Sequence, residues 1–355
     1  MKIAKIGSYS LNLIKKFPTP LRNIAVTYGT QLLEKLPKSW SSRLYKEILL
    51  NHTPSSFLIE VTNTCNLRCP LCSVHKLNRK KKTLKFEELK YIVDNTPAIK
   101  HIGFYILGEP LLCRDLFKMV RYCSNKQITT GFSTNGMLID KYIDEIFESG
   151  LDYIQITIDG ADAEAHEKYR IGSSFKKVCE NIEKLTNEKK RRNAKKPYIK
   201  IQTLVFKFNE HQLKDIIELT KRLGVDAINF KAPSIGKDDK SKFEIEKLMK
   251  EYIPENKSRY NRYSLNIKYY KDMPICPQLF NGYILSNGDV VPCCADYEGE
   301  YSFGNIFEED FASIWKGELR KKFLDEFFSR NSNLCKKCDL AYGIIDEIIE
   351  FNNNG

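Results

Sequence analysis

The chain of 355 residues contains no apolar run approaching the ~18 residues that a membrane span needs. No export signal is expected either: Lys2 and Lys5 stand near the start, but Lys15 and Lys16 interrupt the apolar stretch that follows. Low-complexity tracts are absent, and a hydrophobic fraction of 42% is enough for a sizeable core, which excludes a disordered protein. Arginine is scarce beside lysine, 14 residues against 43, in a chain rich in Asn and Ile. The net charge of +12 therefore reads as composition rather than as a nucleic-acid surface, and no specific nucleic-acid partner is expected. Cysteine is not lacking. There are eleven, an odd number, and without an export signal that argues against a disulfide framework and for a reducing, cytoplasmic setting.

Two basic concentrations stand out locally. Lys76, Arg79, Lys80, Lys81, Lys82 and Lys85 follow a cysteine cluster and could help dock an acidic electron donor or substrate. Lys189, Lys190, Arg191, Arg192, Lys195 and Lys196 close a predicted helix and read as a solvated loop. The first 50 residues hold nine basic and two acidic residues, a net +7. Leu11, Ile14, Phe17 and Leu32, Leu33, Leu36 recur there at helical spacing, and Pro18, Pro20 and Pro37 divide the segment into short helices. Such a basic helical extension packs across the end of the main domain; contact with a membrane surface is the alternative.

From residue 57 short apolar strands alternate with helical stretches. The strands are expected at Phe57–Thr62, His101–Leu107, Ile128–Ser133, Tyr153–Ile158, Tyr198–Phe206 and Ala227–Ala232, with helices near 86–95, 114–125, 138–149, 173–190 and 211–223. This alternation implies βαβ units and a parallel sheet. Six repeats make a partial barrel and fall short of eight. Beyond about residue 240 the alternation stops. Tyr283–Leu285 and Val290–Val291 then flank Ser286-Asn287-Gly288-Asp289, a hairpin signal. A helix near 309–329, a cysteine pair and a polar tail follow.

Thr64-Cys65-Asn66-Leu67-Arg68-Cys69-Pro70-Leu71-Cys72 places three thiols at CxxxCxxC spacing directly after the first strand. A structural zinc site wants a fourth ligand, which His75 could supply. A [4Fe–4S] cluster held by three cysteines instead keeps one iron open. In parallel αβ barrels chemistry gathers at the C-terminal ends of the strands. Gly108-Glu109-Pro110 follow strand two, Ser133-Thr134-Asn135-Gly136 close strand three and Thr157-Ile158-Asp159-Gly160 close strand four, so four successive strands deliver such motifs to one rim.

Further on, Cys276 is followed by eleven residues, Gly288, four residues and Cys293; then come Cys294 and, after a long gap, Cys335-Lys336-Lys337-Cys338. A lone cysteine, a hairpin-end cysteine and a CxxC pair can close a four-thiolate site, for zinc or for an iron–sulfur cluster. Cys113, Cys123 and Cys179 fall in or beside predicted helices and read as buried structural thiols.

On these motifs, residues 55–342 resemble the radical SAM superfamily, in its branch with a C-terminal SPASM or Twitch domain. The resemblance implies an α/β fold: a partial (βα)6 parallel barrel, a small C-terminal iron–sulfur domain and the N-terminal helical extension. Its boundaries would be 1–54, 55–240, a connection at 241–272, 273–342, and a polar tail at 343–355. It implies that Cys65, Cys69 and Cys72 hold a [4Fe–4S] cluster that binds S-adenosylmethionine (SAM). The cofactor-facing set would be Leu71, Gly108, Glu109, Asn135, Thr157, Asp159 and Arg170. Within it, Gly108 and Glu109 match the motif that receives the SAM amino group, Thr157 and Asp159 sit where ribose and methionine portions are contacted, and Arg170 reaches the carboxylate. Leu107 replaces the first glycine of that motif, and Leu71 stands where an aromatic residue commonly packs near the adenine.

The resemblance further implies one auxiliary [4Fe–4S] cluster on Cys276, Cys293, Cys335 and Cys338, with Cys294 as the alternative to Cys293. The family spacing would place two more ligands at Ile344 and Ile348, and neither is cysteine. Asp296 is a candidate general base. The expected reaction is reductive cleavage of SAM and hydrogen abstraction, for oxidation or epimerisation of a sugar- or aminoglycoside-like molecule, with a flavodoxin- or ferredoxin-like electron donor. Modification of a ribosomally made peptide is the alternative substrate class. A zinc-binding interaction protein and a catalytically degenerate scaffold are the alternatives of another kind.

Overall fold

The computed structural model describes residues 38–236, 241–255, 257–264, 276–339 and 346–351. Runs of β-branched and aromatic residues between turn signals form β1 (Ser56–Ile59), β2 (His101–Phe104), β3 (Thr129–Thr134), β4 (Tyr153–Thr157), β5 (Tyr198–Leu204) and β6 (Ala227–Lys231). The helices are α1 (Lys38–Asn51), α2 (Phe86–Asp94), α3 (Leu116–Asn125), α4 (Ile143–Glu148), α5 (Ala163–Tyr169), α6 (Phe175–Arg191), α7 (Leu213–Arg222), α8 (Lys242–Tyr252), α9 (Phe311–Lys316), α10 (Glu318–Phe328) and α11 (Asn333–Lys336). The first six strands pair in parallel, each with the next in sequence. Alternate strand residues Ile102, Phe104, Phe132, Ile154, Ile156, Ile199, Ile201 and Ile228 share one apolar core with Leu89, Met119, Ile146, Val178, Leu185 and Ile216 of the helices. Each fully buried Ile, Leu or Phe there contributes ~1.5–3 kcal/mol.

The partial barrel carries three further strands. β7 (Gly282–Ile284) pairs in parallel with β1, β8 (Val290–Val291) folds back on β7 and β9 (Asp346–Glu350) runs antiparallel to β6. One nine-stranded sheet results, in the order β8-β7-β1-β2-β3-β4-β5-β6-β9. The cysteine-bearing hairpin is thus continuous with the barrel sheet. Its turn needs Gly288, at φ +94°, where a Cβ would come 2.4 Å from the Phe307 ring. The polar tail is corrected in part: residues 346–350 satisfy the backbone edge that β6 would otherwise expose. The helix expected near 309–329 is two helices meeting at Gly317, and α5 was not foreseen. Asp162 starts α5 by accepting from Ala165 N at 2.8 Å.

Most of the N-terminal extension, with Leu11, Ile14, Phe17, Leu32, Leu33 and Leu36, lies outside the described residues. α1 packs on the C-terminal region: Tyr45 Oη donates to the Cys276 carbonyl at 3.0 Å, and Arg320, with its guanidinium over Trp315, donates to the Leu49 carbonyl at 2.8 Å. Among the described residues no helix is long and apolar enough to cross a membrane.

Candidate active site

The loop after β1 is shaped by its own backbone and by the ends of β2 and β3. Gly108 has φ +78°, and a Cβ there would lie 2.1 Å from the Thr62 carbonyl oxygen and 2.9 Å from that of Thr64. Only glycine lets these two strand ends touch. Glu109 N then donates to the Thr64 carbonyl at 2.8 Å. The Glu109 carboxylate is buried and accepts from Thr134 Oγ1 at 2.7 Å, Asn135 N at 2.8 Å and Leu111 N at 3.1 Å. Burial pushes its pKa up, and these bonds pull it back. Its side chain staples β2 to β3, so its acceptor capacity is largely used within the protein.

Asn135 donates Nδ2 to Asn66 Oδ1 at 2.8 Å, beside Cys65 Sγ at 4.0 Å. Leu67 N lies 3.4 Å from the same sulfur. Cys69 is buried, Cys65 and Cys72 are half-buried, and Arg170 Nη1 lies 3.8 Å from Cys69 Sγ. Burial raises the Cys65 thiol to about 11 and raises Cys69 too, against the pull of Arg170. His75 Nε2 bonds the Leu67 carbonyl.

Asp159, expected with Thr157 where the ribose and methionine portions are contacted, is engaged within the protein. It is fully buried, and its carboxylate accepts from Arg170 Nε at 2.6 Å and from Leu204 N at 2.7 Å. It therefore holds Arg170 toward Cys69. Behind it, His166 Nδ1 accepts from Asp159 N at 3.2 Å and Nε2 pairs with Ser173 Oγ at 3.0 Å. Burial holds His166 down to about 3, so it is neutral. Thr157, also buried, donates to the Thr134 carbonyl at 3.5 Å. Leu71 packs at an aromatic wall of Tyr169, Phe206 and Tyr252, which the sequence reading missed. Tyr169 and Phe206 meet at a tilt of 44° with centroids 4.3 Å apart.

The strand face opposite the helices is polar under this rim. Ser133 pairs in register with Gln155, and Gln202 with Asn229. Gln155 Nε2 lies 3.3 Å from Ser133 Oγ and 3.0 Å from Gln202 Oε1, while Asn229 Oδ1 is buried without a hydrogen-bond partner. Barrels packed for stability fill this space with branched apolar residues. An unmet amide there costs stability and calls for a donor.

The second thiol group assembles from three segments. Cys276, Cys293, Cys294, Cys335 and Cys338 form no disulfide, and the charge of Cys338 acts on each of the other four. Burial pushes Cys276 up to about 12 and Cys294 and Cys335 to about 11. Cys293 packs with Tyr283, Leu285 and Val291, whereas Cys294 feels Lys231 at the end of β6. Cys113 and Cys123 are core residues, as expected, and Cys179 is half-buried.

A cleft of about 360 Å³ is lined by Ser73, Lys76, Ala295, Asp296, Leu334 and Lys337 among others. Asp296 is buried, and both its oxygens accept from backbone, Oδ1 from Glu300 N and Oδ2 from Tyr301 N at 2.9 Å each. Burial raises its pKa to about 6. The basic run after Cys72 divides. Arg79 turns inward to a buried, two-pronged pair with Glu60 at 2.9–3.1 Å, and Lys82 pairs with Glu88, while Lys76, Lys80, Lys81 and Lys85 are exposed. The second run is largely ion-paired, with Lys189 on Asp226 at 2.7 Å.

The residues fit iron–sulfur chemistry. The thiols of each group sense one another's charge. Among the described residues, however, no three His, Cys or acidic side chains converge closely enough to hold a single metal ion.

Comparison with known proteins agrees. Residues 59–220 match the model of the radical SAM superfamily and residues 276–339 that of the SPASM iron–sulfur cluster-binding domain. The tungsten-containing aldehyde ferredoxin oxidoreductase cofactor-modifying protein of Pyrococcus furiosus is 27% identical, over 79% of this chain and 86% of its own length. The AdoMet-dependent heme synthase of Methanosarcina barkeri is 30% identical over 55% of each chain, so the match spans about half of that relative. The crystal structure of Streptococcus suis SuiB bound to S-adenosylmethionine shares the fold, with TM-score 0.59 and 15% identity over 84% of this chain and 76% of that one. The chain belongs to the radical SAM superfamily, whose core binds SAM and a [4Fe–4S] cluster, and it carries a SPASM domain, which binds auxiliary iron–sulfur clusters.

Proposed function

We propose that the protein is a radical SAM oxidoreductase acting on a small substrate rich in hydroxyl or amide groups. The observation that carries this is the polar strand face under the rim, where Ser133, Gln155, Gln202 and the unmet Asn229 amide stand; a cleft also reaches the thiol segments, with Ser73 beside Cys72, Ala295 beside Cys294, and Leu334 and Lys337 beside the CxxC pair. A volume near 360 Å³ lies in the range of small-molecule sites. The two curated relatives are named for cofactor modification and heme synthesis, which favours a small molecule over a peptide.

When bound, SAM and its cluster would supply one-electron hydrogen-abstraction chemistry, and an auxiliary cluster would supply an acceptor for the electron that a two-electron oxidation releases. Cys65, Cys69 and Cys72 are the proposed ligands of the first cluster. Asp159 fixes Arg170 beside Cys69, where its free face suits the SAM carboxylate. Gly108 lets the end of β2 pack on the Thr62 and Thr64 carbonyls and so shapes the turn proposed to receive the SAM amino group, and Asn135 orients Cys65 through Asn66. Leu71, Tyr169, Phe206 and Tyr252 exclude water from the thiol loop. Ser133, Gln155, Gln202 and Asn229 offer the substrate amide and hydroxyl partners. Cys276, Cys293, Cys335 and Cys338 are the proposed auxiliary ligands, with Cys294 as the alternative to Cys293. Exposed Lys76, Lys80, Lys81 and Lys85 form the docking face for an acidic flavodoxin- or ferredoxin-like donor.

Anaerobic reconstitution tests the reading. About eight iron and eight sulfide per chain are expected, from two four-iron clusters, and reduced protein with SAM should yield 5′-deoxyadenosine that Cys69→Ala abolishes. Stoichiometric zinc without iron–sulfur absorption would overturn the proposal.

A further inference from the structure

A buried polar knot beside the CxxC pair is not used by anything above. Asp339 follows Cys338 and is 5% exposed. Its Oδ2 accepts from Ser234 Oγ at 2.8 Å, Ile235 N at 3.1 Å, Gly236 N at 2.9 Å and Tyr263 Oη at 2.7 Å. Its Oδ1 is buried without a hydrogen-bond partner. Arg262, also 5% exposed, donates Nη1 to the Asp339 carbonyl at 3.3 Å and Nη2 to the Ala232 carbonyl at 2.5 Å. Its Nε–H is buried and unpartnered. Ala232–Gly236 is the segment leaving β6, so the knot ties the barrel rim to the end of the CxxC turn.

The chemistry of this knot is unbalanced. A buried guanidinium whose hydrogen bonds go to neutral carbonyls is expensive unless anions face it. Burial pulls the Arg262 pKa down, and three anion-forming groups act against it to favour the charged guanidinium: the Tyr263 phenol, the Asp339 carboxylate and the Cys338 thiol. Thiolates loaded with an iron–sulfur cluster concentrate negative charge at that position, and reduction adds more. Net charge and hydrogen bonding around such a cluster set its reduction potential.

We propose that Arg262 is a positioning residue for the auxiliary cluster: with Asp339 it fixes the CxxC turn against the end of β6, and its fixed charge raises the cluster's reduction potential. The inference rests on the reading that Cys335 and Cys338 hold that cluster. It assigns to the 257–264 segment a part in electron acceptance that neither thiol motif reveals.

Potentiometric titration of the reconstituted full-length protein, followed by EPR, tests it with three variants. Arg262→Gln should load both clusters, leave 5′-deoxyadenosine formation unchanged, and move the auxiliary midpoint to a more negative potential. Arg262→Lys should restore most of the shift, which a purely structural role does not predict. Asp339→Asn should move the midpoint the opposite way, and it serves alone if Arg262→Gln fails to fold. A fully loaded Arg262→Gln protein, or Asp339→Asn in its place, titrating at the wild-type potential overturns the inference. Wild-type protein holding about four irons instead of eight overturns the cluster reading beneath it, a different and separately visible failure.

Discussion

The two thiol groups are built on opposite plans. Cys65, Cys69 and Cys72 come from one short loop, with two of the three half-buried and one side facing the rim. The other five thiols come from three segments that meet only when β7 pairs with β1, β8 folds back on β7, and α1 and α10 pack behind them. The first is a local site that backbone geometry largely dictates. The second is a product of tertiary packing. A local site can form with its loop alone, whereas the second can form only with the sheet and helices that assemble it.

The sharpest way to break this comparison is to unload one site at a time. Cys338→Ser should remove about half the iron while 5′-deoxyadenosine formation persists, measured by iron assay and product chromatography. Cys72→Ser should do the converse, keeping the auxiliary cluster and losing SAM cleavage. Simultaneous loss of both clusters in Cys338→Ser would show the sites to be one cooperative unit.

Next in size is the link between the two regions. Glu60, at the end of β1, accepts from Arg79 of the first loop and from Ser286 of the hairpin at 2.7 Å, and Arg79 also donates to the Tyr297 carbonyl at 2.5 Å. Removing one partner of a buried pair leaves an uncompensated charge, at a cost of ~3–5 kcal/mol. Arg79→Leu should therefore lower stability by about that amount in denaturant unfolding, with iron lost from the second site before the first. A loss below ~1 kcal/mol, typical of an exposed pair, would mean the regions are coupled elsewhere.

A smaller effect distinguishes the first region by pH. His166 is buried and neutral, with its pKa held down to about 3 from an ordinary 6.5 by desolvation. The unfolded chain binds the proton first, so this contribution is full above pH ~6.5 and is lost as pH falls toward the folded value. Between pH 6.5 and 5 the loss is about 2 kcal/mol. His166→Asn should flatten that part of the stability–pH curve; an unchanged slope would place the acid sensitivity in another group.

Much of this was legible because it is local. CxxxCxxC, the Asn-Gly hairpin and the strand–helix alternation each announce themselves within a few residues, and the six strands fall where their apolar runs do. The aromatic wall was not, because Tyr169, Phe206 and Tyr252 come from three separate segments and each alone reads as ordinary core. Asp159 sits at the strand end the motif marks, yet its carboxylate turns into the protein to hold Arg170, an orientation that strand position does not determine. β9 escaped notice because a short segment with acidic neighbours has little β signal until the bare edge of β6 is there to receive it. The Arg79–Glu60 pair lay hidden in a basic run that composition alone would place in solvent.

Asp296 gives the smallest expected effect and the finest contrast between a chemical and a structural carboxylate at the cleft. Both of its oxygens already accept backbone N–H groups, so it caps the turn at residues 299–301 as much as it faces a ligand. Asp296→Asn keeps one acceptor and sets an amide N–H against the other donor, which should cost about 1 kcal/mol. If capping is its role, substrate turnover per SAM cleaved should be preserved, and its pH profile should lack a limb near 6. A loss of ~100-fold or more in turnover at little change in stability is instead the signature of general acid–base participation, and the raised pKa would then mark a proton poised for the substrate rather than a buried cap.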